Sequence, residues 1–197
     1  VDRLAFVCED GSMFGEEYTL VSVADFVLSK KSGNTVSNLS STRALSDITK
    51  KHNGDYFASA VGEVNVVDMM KLNNAIIGGE GNGGIIYPEL HYGRDALVGI
   101  ALFLTQLAEK NLSCLSLRNS YPNYFISKNK IDLDPSINIL NIFEQLAVKF
   151  SKYKTNTIDG LKIDFEDGWV HLRKSNTEPI IRVYSESNSK INSDKMA

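Results

Sequence analysis

At 197 residues, 43% hydrophobic and 23% charged, the chain reads as globular and long enough for one large or two small domains. Its formal net charge is −3 and its Lys and Arg residues are scattered, which excludes the basic footprint that a nucleic-acid backbone requires. No apolar run reaches membrane-spanning length, so neither nucleic acid nor membrane is expected as a partner.

Cys8 and Cys114 lie far apart and neither has a Cys or His at metal-ligand spacing; they read as free thiols of a reducing cytoplasm, the expected location. Residues 1–7 enter directly as a strand, with no initiator Met and no leader, and residues 193–197 read as the start of a helix. The expectation is a piece of a longer protein.

In chain order, residues 17–30 place Leu20, Val23, Ala24, Val27 and Leu28 on one helical face. A strand over 35–39 follows, then a helix over 42–52 capped by Ser41, a strand over 55–60 and a helix over 64–72. The alternation predicts an α/β layer with a largely parallel sheet and ligand loops beyond the carboxyl ends of its strands. The next strand, 74–77, runs into a glycine-rich stretch, 78–84. The helix over 94–110 is apolar almost all round and is expected to be buried between layers.

A boundary is placed near 120–122. Beyond it come a strand over 124–128, a helix over 135–152 with Ile139, Phe143, Leu146 and Phe150 inward, and strands over 161–165, 169–173 and 180–185. Tight turns at 166–168 and 175–177 join those strands, which predicts a smaller α+β domain with an antiparallel sheet and flanking helices.

Gly79, Gly81 and Gly84 satisfy the G-x-G-x-x-G pattern of dinucleotide-binding loops. The context does not fit, because that loop needs a helix starting among the glycines, whereas residues 85–88 are extended and end in proline. What remains is a flexible backbone presenting Glu80 and Asn82 with little bulk around them, a pattern suited to the hydroxyls of a sugar ring. A plain tight turn with Glu80 in solvent fits the same residues.

Residues 173–182 place Arg173, Ser175, Asn176, Thr177 and Arg182 around one turn between apolar stretches. Guanidinium forks match paired phosphate oxygens, and hydroxyl, amide and backbone N–H groups donate to the remaining lone pairs. The segment has no His, no Cys and no paired acid and base, so it suits gripping a phosphate and not breaking a bond. An ordinary hairpin turn with an ion pair between Glu178 and an arginine is the competing reading.

Together these residues resemble the α-D-phosphohexomutase superfamily of phosphoglucomutases, phosphomannomutases and phosphoglucosamine mutases. Asp2-Arg3 is similar to the end of the family's Asp-x-Asp-x-Asp-Arg metal loop, residues 79–83 to its Gly-Glu-x-Ser-Gly sugar loop, and residues 173–179 to its phosphate loop. The three motifs stand in family order across nearly the whole chain. The resemblance implies residues 1–8 as the end of a second domain, 9–120 as a three-layer α/β third domain and 121–197 as the α+β fourth domain. It implies a mutase moving a phosphoryl group between O1 and O6 of a hexose through a phosphoserine and a hexose 1,6-bisphosphate, with Mg²⁺ as cofactor.

By the same resemblance Arg3 is catalytic, Asp2 is a metal ligand, and Glu80, Asn82, Arg173, Ser175, Asn176, Thr177 and Arg182 bind the hexose phosphate. The phosphoserine and two metal aspartates would lie on missing N-terminal domains of the same chain, so these residues alone are expected to be inactive. Asn82 replaces the family's Ser, and Gly84 stands where some members have His. His91 is a candidate substitute for that imidazole, though it reads first as a solvated loop histidine. A non-catalytic sugar-phosphate binding protein is the alternative.

Overall fold

The computed structural model describes residues 2–134, 137–175 and 177–197, in two compact units, Val1–Asn123 and Tyr124–Ala197. The first unit runs α1 (Glu16–Lys30), β1 (Asn34–Asn38), α2 (Ala44–Lys51), β2 (Tyr56–Ser59), α3 (Glu63–Leu72), β3 (Ala75–Glu80), β4 (Gly84–Ile86), α4 (Ala96–Lys110) and α5 (Cys114–Asn119). Its sheet has the order β2-β1-β3-β4, with β1 parallel to both β2 and β3, and β4 antiparallel to β3.

Three layers follow from where the strands point. Gly78 faces Met70 of α3, whereas its neighbour Gly79 faces Leu20 of α1. Thr35 shares a hydroxyl contact of 2.6 Å with Thr49 of α2. Thus α3 covers one face, packing Val66 and Met70 over Val36, Ala75 and Ile86, and α1 with α2 covers the other.

Several expectations are corrected here. Residues 2–7 form no strand; among the described residues an isolated bridge joins Val7 to Met13. The alternating apolar side chains there meet rings instead of a neighbouring strand: Phe6 stacks on Phe103 at 3.8 Å and meets Phe14 edge-on. Ser41 does not cap α2, because its hydroxyl donates to Asn38 Oδ1 and accepts from the Gly81 N–H.

Burial of the two long helices is the reverse of the expected pattern. α1 is buried on all sides from Tyr18 to Leu28, whereas α4 buries only Ala96, Gly99, Phe103 and Gln106 and leaves Leu97 74% exposed. A buried polar knot explains how α1 tolerates this. Asp25 accepts from His52, Lys110, Gln106 and Tyr121 at 2.8 to 3.2 Å. Burial pushes its carboxyl up, but the bonds from His52 and Lys110 and the charges of Lys110 and Lys51 outweigh burial and hold it below the ordinary aspartate range.

The second unit runs β5 (Phe125–Asp132), α6 (Ile139–Lys149), β6 (Lys154–Asn156), β7 (Leu161–Asp164), β8 (Gly168–Lys174), β9 (Ile180–Ser187) and α7 (Lys190–Met196). The sheet order is β5-β9-β8-β7-β6, antiparallel throughout. Ile139 and Phe143 of α6 pack on Leu161, Ile163, Val170, Ile181 and Val183. Strand β6 is unpredicted, since three polar residues carry no periodic signal. The final helix starts earlier than expected, with Ser189 as its cap and Ser193 buried within it. The expected helix start at Pro135 and Ser136 lies outside the described residues.

His171 on β8 is 1% exposed and donates from Nε2 to the Asp159 carbonyl at 2.7 Å. Burial pushes its pKa down to about 4, with the Lys162 charge acting in the same direction. Native His171 therefore stays neutral while the unfolded residue takes a proton below its ordinary value of 6.5. The second unit is expected to lose about 3 kcal/mol between pH 6.5 and 4 through this group. Urea unfolding across that range should show the slope in wild type and its absence in His171→Gln.

Candidate functional site

The glycine stretch is a hairpin and not a flexible loop. β3 continues through Gly78, Gly79 and Glu80, residues 81–83 turn, and β4 pairs back, with Glu80 opposite Gly84. Gly83 makes the turn at φ 81°, a left-handed conformation, and a side chain there would strike the Leu4 carbonyl.

Glu80 sits at the carboxyl end of β3, where an α/β sheet binds its ligands. It is 5% exposed, so the competing reading of a plain turn with Glu80 in solvent does not hold. One oxygen accepts from Asn38 Nδ2 at 3.0 Å and from the Gly62 N–H at 3.3 Å. The other accepts from Arg94 Nη1 at 3.0 Å. A carboxylate has about four lone-pair sites, so Glu80 is oriented but keeps limited capacity for a ligand hydroxyl.

Arg94 organises the charges around it. Its Nε and backbone N–H both donate to Glu63, at 3.0 and 2.9 Å, and its Nη2 lies 2.6 Å from Asp2 Oδ2. One guanidinium thus meets three carboxylates from β3, α3 and the N-terminal segment. It is placed by the bridge between Ile86 and Arg94 and by the Asp95 N–H donating to the Ile85 carbonyl at 2.8 Å. Arg94 also fills the space beside Gly84, where an added Cβ would lie 2.6 Å from its Cδ. No local signal in the sequence marks Arg94, Glu63 or Asn38, because pairing across the chain brings them together.

Asn82 accepts from the Gly84 N–H at 3.2 Å through Oδ1, so its amide nitrogen is the group left to donate. His91 Nε2 lies 3.1 Å from Asp95 Oδ2, while Asp95 Oδ1 caps α4 at Leu97 and Val98. His91 thereby steadies a helix cap. Arg3 is exposed. Asp2 is engaged by Arg94, and among the described residues no group of three His, Cys, Asp or Glu side chains could hold a metal. The residues present therefore do not fit a Mg²⁺ site. Cys8 and Cys114 are free, with sulfurs 3.6 Å apart, and burial together with Cys8 pushes the Cys114 thiol up to about 12.

In the second unit the β8–β9 connection carries the other cluster. The Ser175 N–H donates to the Ile180 carbonyl at 2.9 Å, closing the loop, and Ser175 is 5% exposed. Its hydroxyl accepts from the Thr177 N–H at 3.5 Å; Asn176 lies outside the described residues. Arg173 and Arg182 are direct cross-strand partners. Like charges so placed repel, and among the described residues only Arg182 of the two has a carboxylate partner, Glu178 at 2.8 Å. The ion pair of the simple hairpin reading is present, yet Arg173 Nε is buried with no hydrogen-bond partner among the described residues. A buried guanidinium N–H left unpaired beside a second cation has the chemistry to accept an anion.

Comparison with known proteins agrees with both halves. The family model for phosphoglucomutase/phosphomannomutase α/β/α domain III matches residues 15–124, and that for the family's C-terminal domain matches residues 141–195. The chain is 36% identical over 191 residues to a phosphoglucomutase/phosphomannomutase of Thermococcus kodakarensis, covering 95% of this chain and 41% of that protein. It is 35% identical over 191 residues to a phosphoglucosamine/phosphogalactosamine mutase of Sulfurisphaera tokodaii, covering 94% and 42%.

Among solved structures it is similar to a phosphoglucomutase/phosphomannomutase family protein of Burkholderia thailandensis, with TM-score 0.83, 24% identity, and coverage of 99% of this chain and 42% of that one. It also shares the fold of Aspergillus fumigatus N-acetylphosphoglucosamine mutase in complex with GlcNAc-6P and magnesium, with TM-score 0.68, 15% identity, and coverage of 98% and 47%. The chain thus spans about two fifths of the length of the curated relatives it matches. With an enclosed carboxylate at the end of β3, a paired-arginine loop between β8 and β9, and domain models matching both units, the chain belongs to the phosphoglucomutase/phosphomannomutase family.

Proposed function

We propose that these residues form the sugar- and phosphate-gripping part of a phosphohexomutase, which interconverts hexose 1-phosphate and 6-phosphate through a phosphoserine and a hexose 1,6-bisphosphate. The observation that carries this is the facing pair Arg173 and Arg182, with one buried guanidinium N–H unpaired beside the Ser175 loop. Arg173, Ser175, Asn176, Thr177 and Arg182 hold the phosphate that is not reacting. Its paired oxygens match the guanidinium forks, and the loop N–H and hydroxyl groups supply shorter-range donors.

Glu80 and Asn82 bind ring hydroxyls as acceptor and donor. Arg94 holds Glu80 in place, so the carboxylate reads hydroxyl positions without having to reorganise. Phosphoryl transfer is catalysed largely by positioning and charge, and gripping the far end of the substrate is this chain's share of it. Mg²⁺ is proposed for the whole enzyme, where it would neutralise charge on the transferring group; Asp2 alone does not hold it, and Arg3 would lie beside it. A cytoplasmic location suits a sugar-phosphate substrate.

In the whole enzyme, Arg173→Ala is expected to lower kcat/KM for glucose 1-phosphate about 100-fold, the value of a charge-assisted bidentate contact of roughly 2–3 kcal/mol. Arg173→Lys should recover only part, since it restores charge without the fork. Mannose and glucosamine phosphates offered in parallel should show the same ratio, because the loop reads phosphate and not C2. A kcat/KM within twofold of wild type would remove the phosphate-loop assignment.

A further inference from the structure

Strand β5 is an edge of the second unit's sheet and pairs with β9 along its full length. In that register Lys130 stands opposite Arg182, which in turn stands opposite Arg173 on β8. Directly opposed residues of antiparallel strands share a face, with Cβ atoms about 5 Å apart. Lys130, Arg182 and Arg173 therefore form one row of cations across three adjacent strands. Their neighbours Ile181, Val183 and Leu172 point the other way, into the core under α6.

Such a row is repulsive unless something negative sits over it. Glu178 accounts for one charge, through Arg182. Among the described residues the side chains of Lys130 and Arg173 have no hydrogen-bond or ion-pair partner. Within the row itself three cations meet one carboxylate; Asp132, on the same face of β5, flanks Lys130 one row away on the side of Ile180, and the row keeps an excess of positive charge suited to a phosphate monoester. Adjacent strands lie about 4.8 Å apart, so a phosphate centred over Arg182 is within reach of a lysine on one flank and an arginine on the other.

We propose that Lys130 is a third cationic contact of the phosphate site, closing it on the β5 side. This rests on the reading of the β8–β9 loop as a phosphate grip. Lysines on edge strands also protect against edge-to-edge pairing, which requires no ligand. Lys128 supplies the control: it lies on the same strand and face but one row away, over the ring of Tyr184 at 5.7 Å.

The test is calorimetric titration of the 197-residue chain with glucose 1,6-bisphosphate and, separately, with inorganic phosphate, at two salt concentrations. Lys130→Ala should weaken glucose 1,6-bisphosphate binding about five- to tenfold and flatten its salt dependence, Lys130→Arg should restore most of it, and Lys128→Ala should match wild type. Equal losses in Lys128→Ala and Lys130→Ala would reduce both to general surface charge and overturn the proposal. Wild-type binding by Lys130→Ala, with Arg173→Ala impaired, would end the row at Arg182 and overturn it while leaving the phosphate loop standing. No effect of Arg173→Ala would instead sink the loop assignment itself.

Discussion

Arg94→Ala is expected to cost the first unit about 3–5 kcal/mol, the usual penalty for removing one partner of a buried ion pair. The reason is Glu80, 5% exposed, which would keep Asn38 and the Gly62 N–H as donors but lose the cation paired with it. Glu63 and Asp2 are more exposed and would rehydrate, so their loss adds little. For a domain of this size the change corresponds to a fall in melting temperature of roughly 10–20 °C.

In the whole enzyme proposed above, the same substitution is expected to abolish sugar-phosphate turnover, because Glu80 would no longer be held. Glu80→Gln in the Arg94→Ala background should recover a large part of the stability and none of the activity. Urea unfolding of the two single variants and the double variant would measure this coupling. Strict additivity would show that Arg94 matters through packing and not through the buried carboxylate.

Asp25→Ala is expected to be as damaging, about 3–5 kcal/mol, by the converse route. Asp25 is 3% exposed, and its removal leaves the Gln106 amide and the Tyr121 hydroxyl without their shared acceptor and His52 and Lys110 without their counter-charge. Because the native carboxyl is held below its ordinary value of 3.8, its contribution is fully present above that pH and is lost as pH falls through the lowered native value. The stability gap between wild type and Asp25→Asn should therefore be constant from neutral pH down to about 4 and narrow only in stronger acid. A gap that closed well above pH 4 would contradict a carboxyl held below its ordinary value.

The legible parts of this molecule were those set by local rules. The β8–β9 loop could be read because Arg173, Ser175, Thr177 and Arg182 fall within ten residues of each other, and register follows from a short turn. The parallel order of the first sheet came from the alternation of periodic segments. Burial of α1 and α4 was misassigned because both helices are rich in apolar residues, and only tertiary packing decides which is central; Thr19, Ser22 and Asp25 conceal the burial of α1, whereas Leu97 and Leu104 overstate that of α4.

The sequence marks Glu80 as a candidate site residue, but not its environment. Its partners Asn38, Gly62 and Arg94 come from β1, the start of α3 and the segment before α4, and no spacing along the chain connects them. The opening segment failed for a related reason. Its alternating pattern is real, but Phe6 finds its partner in Phe103, almost a hundred residues away, and not in a strand.

The central claim, that the β8–β9 loop grips phosphate and the β3–β4 hairpin reads a sugar, is tested most directly by following backbone amide shifts of the 197-residue chain during titration. Inorganic phosphate should move Ser175, Thr177 and their neighbours only, and glucose 6-phosphate should move these and also Gly79 to Gly84. If instead NAD or ATP shifted the hairpin glycines while glucose 6-phosphate and phosphate left both loops unmoved, the account would be wrong.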